Sequence, residues 1–205
     1  MNPKFLYFDL GKVLVDFSVD EMCQRVGAVA GVDPALVVEA VYGDGLQAAY
    51  ETGRISSREF YDAFSARTGT RPEYAALLRA FSDIFTPIPT MPPLVARLAR
   101  AGCRLGILSN TCAAHWEHCI ERFAFLRQHF SVYALSFQLG AMKPHAAIFL
   151  KAAELAGCRP QEIFYTDDVP GHVAGARSAG LDAVVFASAA ELEAELRKRG
   201  LGSAD

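Results

Sequence analysis

Hydrophobic and polar positions along the chain follow two different rhythms. Lys4 to Leu10 is an almost unbroken apolar run that reaches an acidic residue, Asp9, and then turns through Gly11. A short continuous apolar run predicts a strand buried on both faces, as in a parallel sheet. From residue 17 to about 86 the period becomes helical. Ser18 and Glu21 have capping-box spacing and precede Val19, Met22, Cys23, Val26 and Val29. Asp33-Pro34 opens a second helix that runs toward Gly43-Asp44-Gly45, and a short piece follows around Leu46 to Tyr50. Ser56 and Glu59 form another capping box before Phe60, Tyr61 and Phe64, and a last helix passes through Leu77, Leu78 and Phe81. Four prolines between Thr86 and Pro93 predict a stiff connector or hinge.

Beyond that connector strands and helices alternate. Strands are expected over 103–108, 131–135, 163–165 and 183–186, with helices over 94–101, 112–123, 144–156, 173–179 and 189–199. This pattern predicts an α/β fold, a three-layer Rossmann-like core with a parallel sheet. The first strand is separated from the rest of the sheet by about seventy helical residues, roughly half a typical domain. Returning that strand to the sheet leaves the helices as an inserted α-helical bundle cap above its carboxyl edge. The expected division is a core of 1–16 and 88–205 and a cap of 17–87.

Composition changes this picture little. The 205 residues are 52% hydrophobic, enough for one core domain with an insertion. A net charge of −3 gives no support for nucleic-acid or membrane partners. No apolar stretch is of membrane-spanning length, and the N-terminus lacks a signal-peptide pattern. Five scattered cysteines argue against a disulfide framework. A cytoplasmic location is the expectation.

Polar groups end three of the apolar runs: Asp9, Ser109-Asn110-Thr111 and Asp167-Asp168. In open α/β sheets ligands bind at the carboxyl ends of strands. Lys143, just before a helix, is placed to reach the same edge. Carboxylates, a hydroxyl and an ammonium together suit Mg²⁺ and a phosphate. A carboxylate can act as nucleophile and form an aspartyl-phosphate.

These segments, in this order, resemble the haloacid dehalogenase (HAD) superfamily of hydrolases: Asp9 at the first strand end, Ser109, Lys143-Pro144 and Asp167-Asp168, with Asp16 seven residues after Asp9. The resemblance covers the whole chain. It implies that Asp9 attacks phosphorus and that Mg²⁺ is held by Asp9, the Gly11 carbonyl and Asp168. It also implies that Asp167 supports the metal's water shell. Ser109, the amide of Asn110 or Thr111, and Lys143 would hold phosphate oxygens. The implied activity is a Mg²⁺-dependent phosphatase of a small phosphorylated metabolite. The Asp9-Leu10-Gly11 form, Leu108-Ser109-Asn110-Thr111 and Gly53-Arg54-Ile55-Ser56 look like a branch with α-glucose-1-phosphatase-like enzymes, hence a sugar phosphate.

The chain departs from the pattern at Gly11, where phosphatases of the superfamily usually carry an acid/base Asp. A weak or inactive relative is therefore an alternative, and so is a 2-haloacid dehalogenase-type hydrolase. His172 and Lys12 are also unusual; His172 either hydrogen-bonds to Asp168, the favoured reading, or partly replaces the missing acid. Cys112, His115, His118 and Cys119 lie at helical spacing but lack paired zinc-ligand spacing, and read as core and surface positions. One cap arginine among Arg25, Arg54, Arg58, Arg67 and Arg71 is a candidate substrate anchor.

Overall fold

The computed structural model describes residues 3–201. Its centre is β1 (Phe5–Phe8), every residue of which is buried. Parallel neighbours flank it: β4 (Leu105–Ser109) and β5 (Val132–Leu135) on one side, β6 (Ile163–Asp167) and β7 (Asp182–Val185) on the other, in the order β5-β4-β1-β6-β7. Alternate β1 side chains enter different packing clusters. Phe5 and Tyr7 pack with Ile148, Phe149 and Val173 of α10 (Ala146–Ala156) and α11 (Pro170–Ser178). Leu6 and Phe8 join Leu94, Leu98, Leu126, Leu192 and Leu196 of α6 (Met91–Arg100), α8 (Ala124–His129) and α12 (Ala189–Lys198). Burial on both faces explains why the strand has no polar alternation. Each fully buried Leu or Phe contributes about 1.5–3 kcal/mol. The expected three-layer α/β core is present.

The helices inserted after β1 are α1 (Val19–Ala30), α2 (Pro34–Val38), a π-turn over Glu39–Gly43, α3 (Leu46–Glu51), α4 (Ser57–Thr68) and α5 (Tyr74–Ser82). Their starts follow the capping residues. Ser18 Oγ accepts from the Glu21 N–H, and Ser56 with Glu59 forms the full reciprocal box. At Ser18 the box is half made, because the Glu21 carboxylate pairs with Arg25 instead.

The proline-rich connector behaves differently from expectation. Thr86–Pro87 is β3, paired antiparallel with β2 (Val15–Asp16). Both ends of the helical insertion thus meet in one short ladder. The insertion is also stitched to the core farther along. Tyr50 Oη accepts from the Ala114 N–H at the start of α7 (Ala113–Arg122), and Ser136 Oγ of α9 (Ser136–Leu139) donates to the Glu51 carbonyl at 2.6 Å. Gly53 follows with φ +68°, and a Cβ there would collide with the Phe137 carbonyl.

Candidate active site

The register of the three central strands assembles the site. Phe8 lies opposite Ile107 of β4 and Thr166 of β6, so the strand ends deliver Asp9, Ser109 and Asp167 side by side. Adjacent strands are about 4.8 Å apart, within reach of shared side-chain contacts. Lys143 enters from the loop before α10, 4% exposed, and its Nζ lies 2.9 Å from Asp9 Oδ1 and 2.7 Å from Asp167 Oδ2. One buried ammonium therefore bridges two buried carboxylates.

Asp167 is saturated with donors: Lys143, the Tyr165 hydroxyl, the Val169 N–H at 2.8 Å, and His172 Nδ1 at 3.1 Å from both oxygens. Burial alone would raise its pKa, but the hydrogen bonds and the Lys143 charge outweigh burial and hold it below the usual carboxylate range. An ionised Asp167 only accepts, so His172 Nδ1 carries the proton. The expected His172–Asp168 bond is thus corrected: His172 serves Asp167, with Nδ1 between its two oxygens. Asp9 is raised by burial, with Lys143 pulling the other way. Lys143 loses charge stability by burial but gains more from Asp9 and Asp167, and stays protonated.

Other oxygens at this edge are uncommitted. Asp9 Oδ1 takes the Lys143 and Leu10 donors, and no donor to Oδ2 is found among the described residues. Asp168 receives no side-chain hydrogen bond from another described residue, and burial followed by the Asp167 charge raises its pKa. The turn after Asp9 is closed by Lys12 N–H to the Val15 carbonyl and Val15 N–H to the Leu10 carbonyl, which leaves the Gly11 carbonyl outside that pairing. Asp9, Asp167 and His172 also offer atoms within 4.8 Å of one another, but Asp167 already serves His172 and Lys143, and Asp9 Oδ1 serves Lys143.

The second strand end departs from expectation in detail. Ser109 is 2% exposed and lines the cleft, its hydroxyl engaged only by a long 3.3 Å contact to the Asn110 carbonyl. The Asn110 side chain faces Lys143 instead: Oδ1 accepts from Lys143 N–H at 2.8 Å and Nδ2 donates to the Lys143 carbonyl at 3.1 Å. The Thr111 N–H is committed to Ser136 Oγ at 2.9 Å. That commitment corrects the expectation of Thr111 as a backbone anion donor and narrows the choice to Asn110.

Asp16 and Lys12 shape the turn from outside. Lys12, with φ +58°, bonds Asp16 Oδ1 at 2.5 Å and the Phe17 carbonyl at 2.7 Å. The Phe17 ring so placed covers Gly11, where a Cβ would come within 2.7 Å of it. Between this ring and the helical insertion lies a cleft of about 420 Å³. Its walls include Leu10, Val19, Met22, Ile84 and Phe85, and its polar side chains include Gln47 and Glu51 of α3. None of the five cap arginines lines this cleft; Arg25 pairs with Glu21 and Asp83, and Arg58 with Asp62. His115 stacks on Phe81 at 4.4 Å, its Nε2 3.1 Å from the Phe81 carbonyl, as a core position. Sequence reading missed Tyr165, Ser136, Gln47 and Glu51. The first two carried no motif, and the last two looked like an ordinary helix surface.

Comparison with known proteins agrees with this arrangement. The chain is 29% identical over 161 residues to glyceraldehyde 3-phosphate phosphatase of Methanopyrus kandleri, covering 74% of this chain and 68% of that protein. It is 28% identical over 180 residues to the pyrimidine 5′-nucleotidase YjjG of Escherichia coli, covering 84% and 75%. A HAD family enzyme of Bacteroides thetaiotaomicron, solved with magnesium and inorganic phosphate, superposes with a TM-score of 0.80 at 23% identity over 91% of this chain and 96% of that one. The family model for haloacid dehalogenase-like hydrolases matches residues 6–180, and with the sheet order and strand-end carboxylates just described, the chain belongs to that family.

Proposed function

We propose that the protein is a Mg²⁺-dependent phosphatase of small phosphorylated metabolites working through an aspartyl-phosphate on Asp9. The observation that carries this reading is Asp9 itself. Lys143 and the Leu10 N–H orient one of its carboxylate oxygens, and the other has no donor among the described residues. The donor set fits the metal. Asp9 Oδ2, the Gly11 carbonyl and Asp168 are hard oxygen ligands, the kind Mg²⁺ takes alongside retained waters. Asp167 is too fully bonded to join them, and in this reading it fixes Lys143. When bound, the cation neutralises charge on the phosphoryl oxygens. Lys143, the Ser109 hydroxyl and the Asn110 N–H hold the same oxygens while Asp9 attacks phosphorus in line. Residues 1–16 and 88–205 form the catalytic body in this proposal, and 17–87 the cap that selects the substrate.

The similarity to proteins named as acting on glyceraldehyde 3-phosphate and pyrimidine nucleotides supports a small phosphorylated substrate. A sugar phosphate is the finer expectation, but the cleft walls are mainly apolar and offer Gln47, Glu51 and Tyr42 as polar partners. Each buried hydroxyl needs a partner. A short-chain or aromatic phosphate therefore fits this cleft better than a hexose phosphate. The five cysteines form no disulfide, which suits a reducing compartment.

The test is a phosphate-release screen over short-chain, nucleoside and sugar phosphates, with and without a chelator, on the wild type and Asp9→Asn. Release that needs Mg²⁺ and disappears in Asp9→Asn is the expected result. Chelator-resistant halide release from 2-haloacids, with no phosphate release, overturns it.

A further inference from the structure

Glu51 ends α3 in the helical insertion and lines the same cleft as Gly11, Ser109 and Asn110. Its backbone is not free to wander. The neighbouring Tyr50 hydroxyl accepts from Ala114 N–H at 3.1 Å and is 2.6 Å from Ser57 Oγ, and the Glu51 carbonyl accepts from Ser136 Oγ. The core thus holds the end of α3 at two successive residues, and the Glu51 side chain lines the cleft beside Ser109 and Asn110. Gln47 Nε2 donates to Glu51 Oε1 at 2.7 Å, which leaves Oε2 for a proton. Gln47 Oε1 is enclosed and has no hydrogen-bond partner among the described residues.

Cleavage of an unactivated phosphate ester leaves an alkoxide that needs a proton, and a positioned acid supplies about 10²–10⁴-fold in rate. The side chains lining this cleft offer few donors. His115 is driven down to about 4 by burial and is occupied with Phe81. Tyr42 is pushed up to about 12 by burial, too weak an acid. Position 11 is a glycine whose Cβ site is closed by the Phe17 ring. Glu51 alone among the lining side chains is a carboxyl, and burial raises its pKa against the pull of Gln47 and Lys143. The ionisable groups facing it are Tyr42 from the π-turn, Cys112 and His115 at the start of α7, and Lys143.

We propose that Glu51, presented by the cap and oriented by Gln47, is the general acid and base of the reaction. The inference rests on the phosphatase reading. In the first half-reaction the Asp9 oxygen forms a bond to phosphorus as the ester P–O bond breaks. The electron pair of that bond leaves with the ester oxygen, which takes the Glu51 proton and departs as the alcohol. In the second, the Glu51 carboxylate takes a proton from water as the water oxygen bonds to phosphorus and the Asp9–phosphorus bond breaks. Inorganic phosphate, the Asp9 carboxylate and protonated Glu51 are restored.

The experiment compares wild type, Glu51→Gln and Glu51→Asp on p-nitrophenyl phosphate, phenyl phosphate and n-propyl phosphate with Mg²⁺. p-Nitrophenolate leaves without a proton. Glu51→Gln is expected to lose about 10²–10⁴-fold in kcat on propyl phosphate, least on p-nitrophenyl phosphate, and to lose the alkaline limb of the kcat–pH profile. Glu51→Asp, one methylene shorter, recovers part of the loss. A similar fall on all three esters, an effect on KM alone, or no change overturns the proposal while leaving the phosphatase reading standing. A wild type inert toward all three esters overturns both. Thermal melting of each variant shows that the fold is retained.

Discussion

Lys143 Nζ sits 2.9 Å from Asp9 Oδ1, and both side chains are buried at the centre of the sheet edge. The ammonium is shared with Asp167, so the charge that orients Asp9 is itself positioned by a carboxylate from the neighbouring strand. Asn110 fixes the same lysine through its backbone, closing two hydrogen bonds across the β4 end. Three strand ends thereby act on one carboxylate oxygen.

Lys143→Met separates the two duties of this ammonium. Removing it leaves Asp9 and Asp167 buried at neutral pH without a counter-charge, a loss of about 3–5 kcal/mol. Adding Asp167→Asn removes one of the stranded charges. Urea denaturation is expected to show a large loss in the single variant and partial recovery in the double. Phosphate release stays abolished in both, because neither restores the cation beside Asp9.

Ser136 joins the cap to the core through one hydroxyl, which accepts from Thr111 N–H and donates to the Glu51 carbonyl. Ser136→Ala strands a buried N–H and frees the end of α3. The cost of an unpaired buried group is about 1–3 kcal/mol. The urea midpoint is expected to fall accordingly, and hydrogen exchange to speed up through residues 46–51 more than in β1.

Much of this was legible in the chain. β1, β4 and β6 are apolar runs ending in Asp9, Ser109 and Asp167, and a run buried on both faces has few alternative readings. Ser18, Asp33 and Ser56 marked helix starts because their side chains satisfy backbone donors that nothing else reaches. The β2–β3 ladder was not legible, because two-residue strands seventy residues apart show no period. Asn110 was seen as an anion donor, and its side chain proved to be a clamp on Lys143. Tyr165 was hidden in an apolar strand, where its hydroxyl marks it only once Asp167 stands beside it. Glu51 stands in no motif, just past the helical piece expected around Leu46 to Tyr50, and only the fold brings it to the cleft.

Gly11→Asp tests whether position 11 can simply be given a carboxylate. The new Cβ meets the Phe17 ring at 2.7 Å, and that ring in turn packs on Phe85 at 5.5 Å. Overpacking of this kind costs about 1–3 kcal/mol. The single variant is expected to melt lower and to release phosphate more slowly than wild type. Gly11→Asp combined with Phe17→Ala opens the space, and is expected to regain activity relative to Gly11→Asp alone. Differential scanning fluorimetry and initial rates on p-nitrophenyl phosphate measure both effects.

The cap carboxyl also makes a prediction about stability against pH. The folded-state pKa of Glu51 is raised, chiefly by burial, above its unfolded value near 4.5. Below that value both states hold the proton and burial of the neutral acid costs no charge. As pH rises the unfolded chain releases the proton first, so the folded state loses stability progressively until pH passes the folded pKa. Glu51→Gln keeps the shape and the Gln47 partner but has no proton to lose. Its melting temperature is expected to match wild type near pH 4, to exceed it by a margin that grows as pH rises above the unfolded value, and to level off once the folded-state carboxyl has ionised. The same variant is the one expected to lose turnover on poor leaving groups, a trade of stability for activity that a catalytic group in an apolar cleft makes. A melting-temperature difference that stays constant from pH 4 to pH 8 would show that Glu51 titrates alike in the folded and unfolded chain.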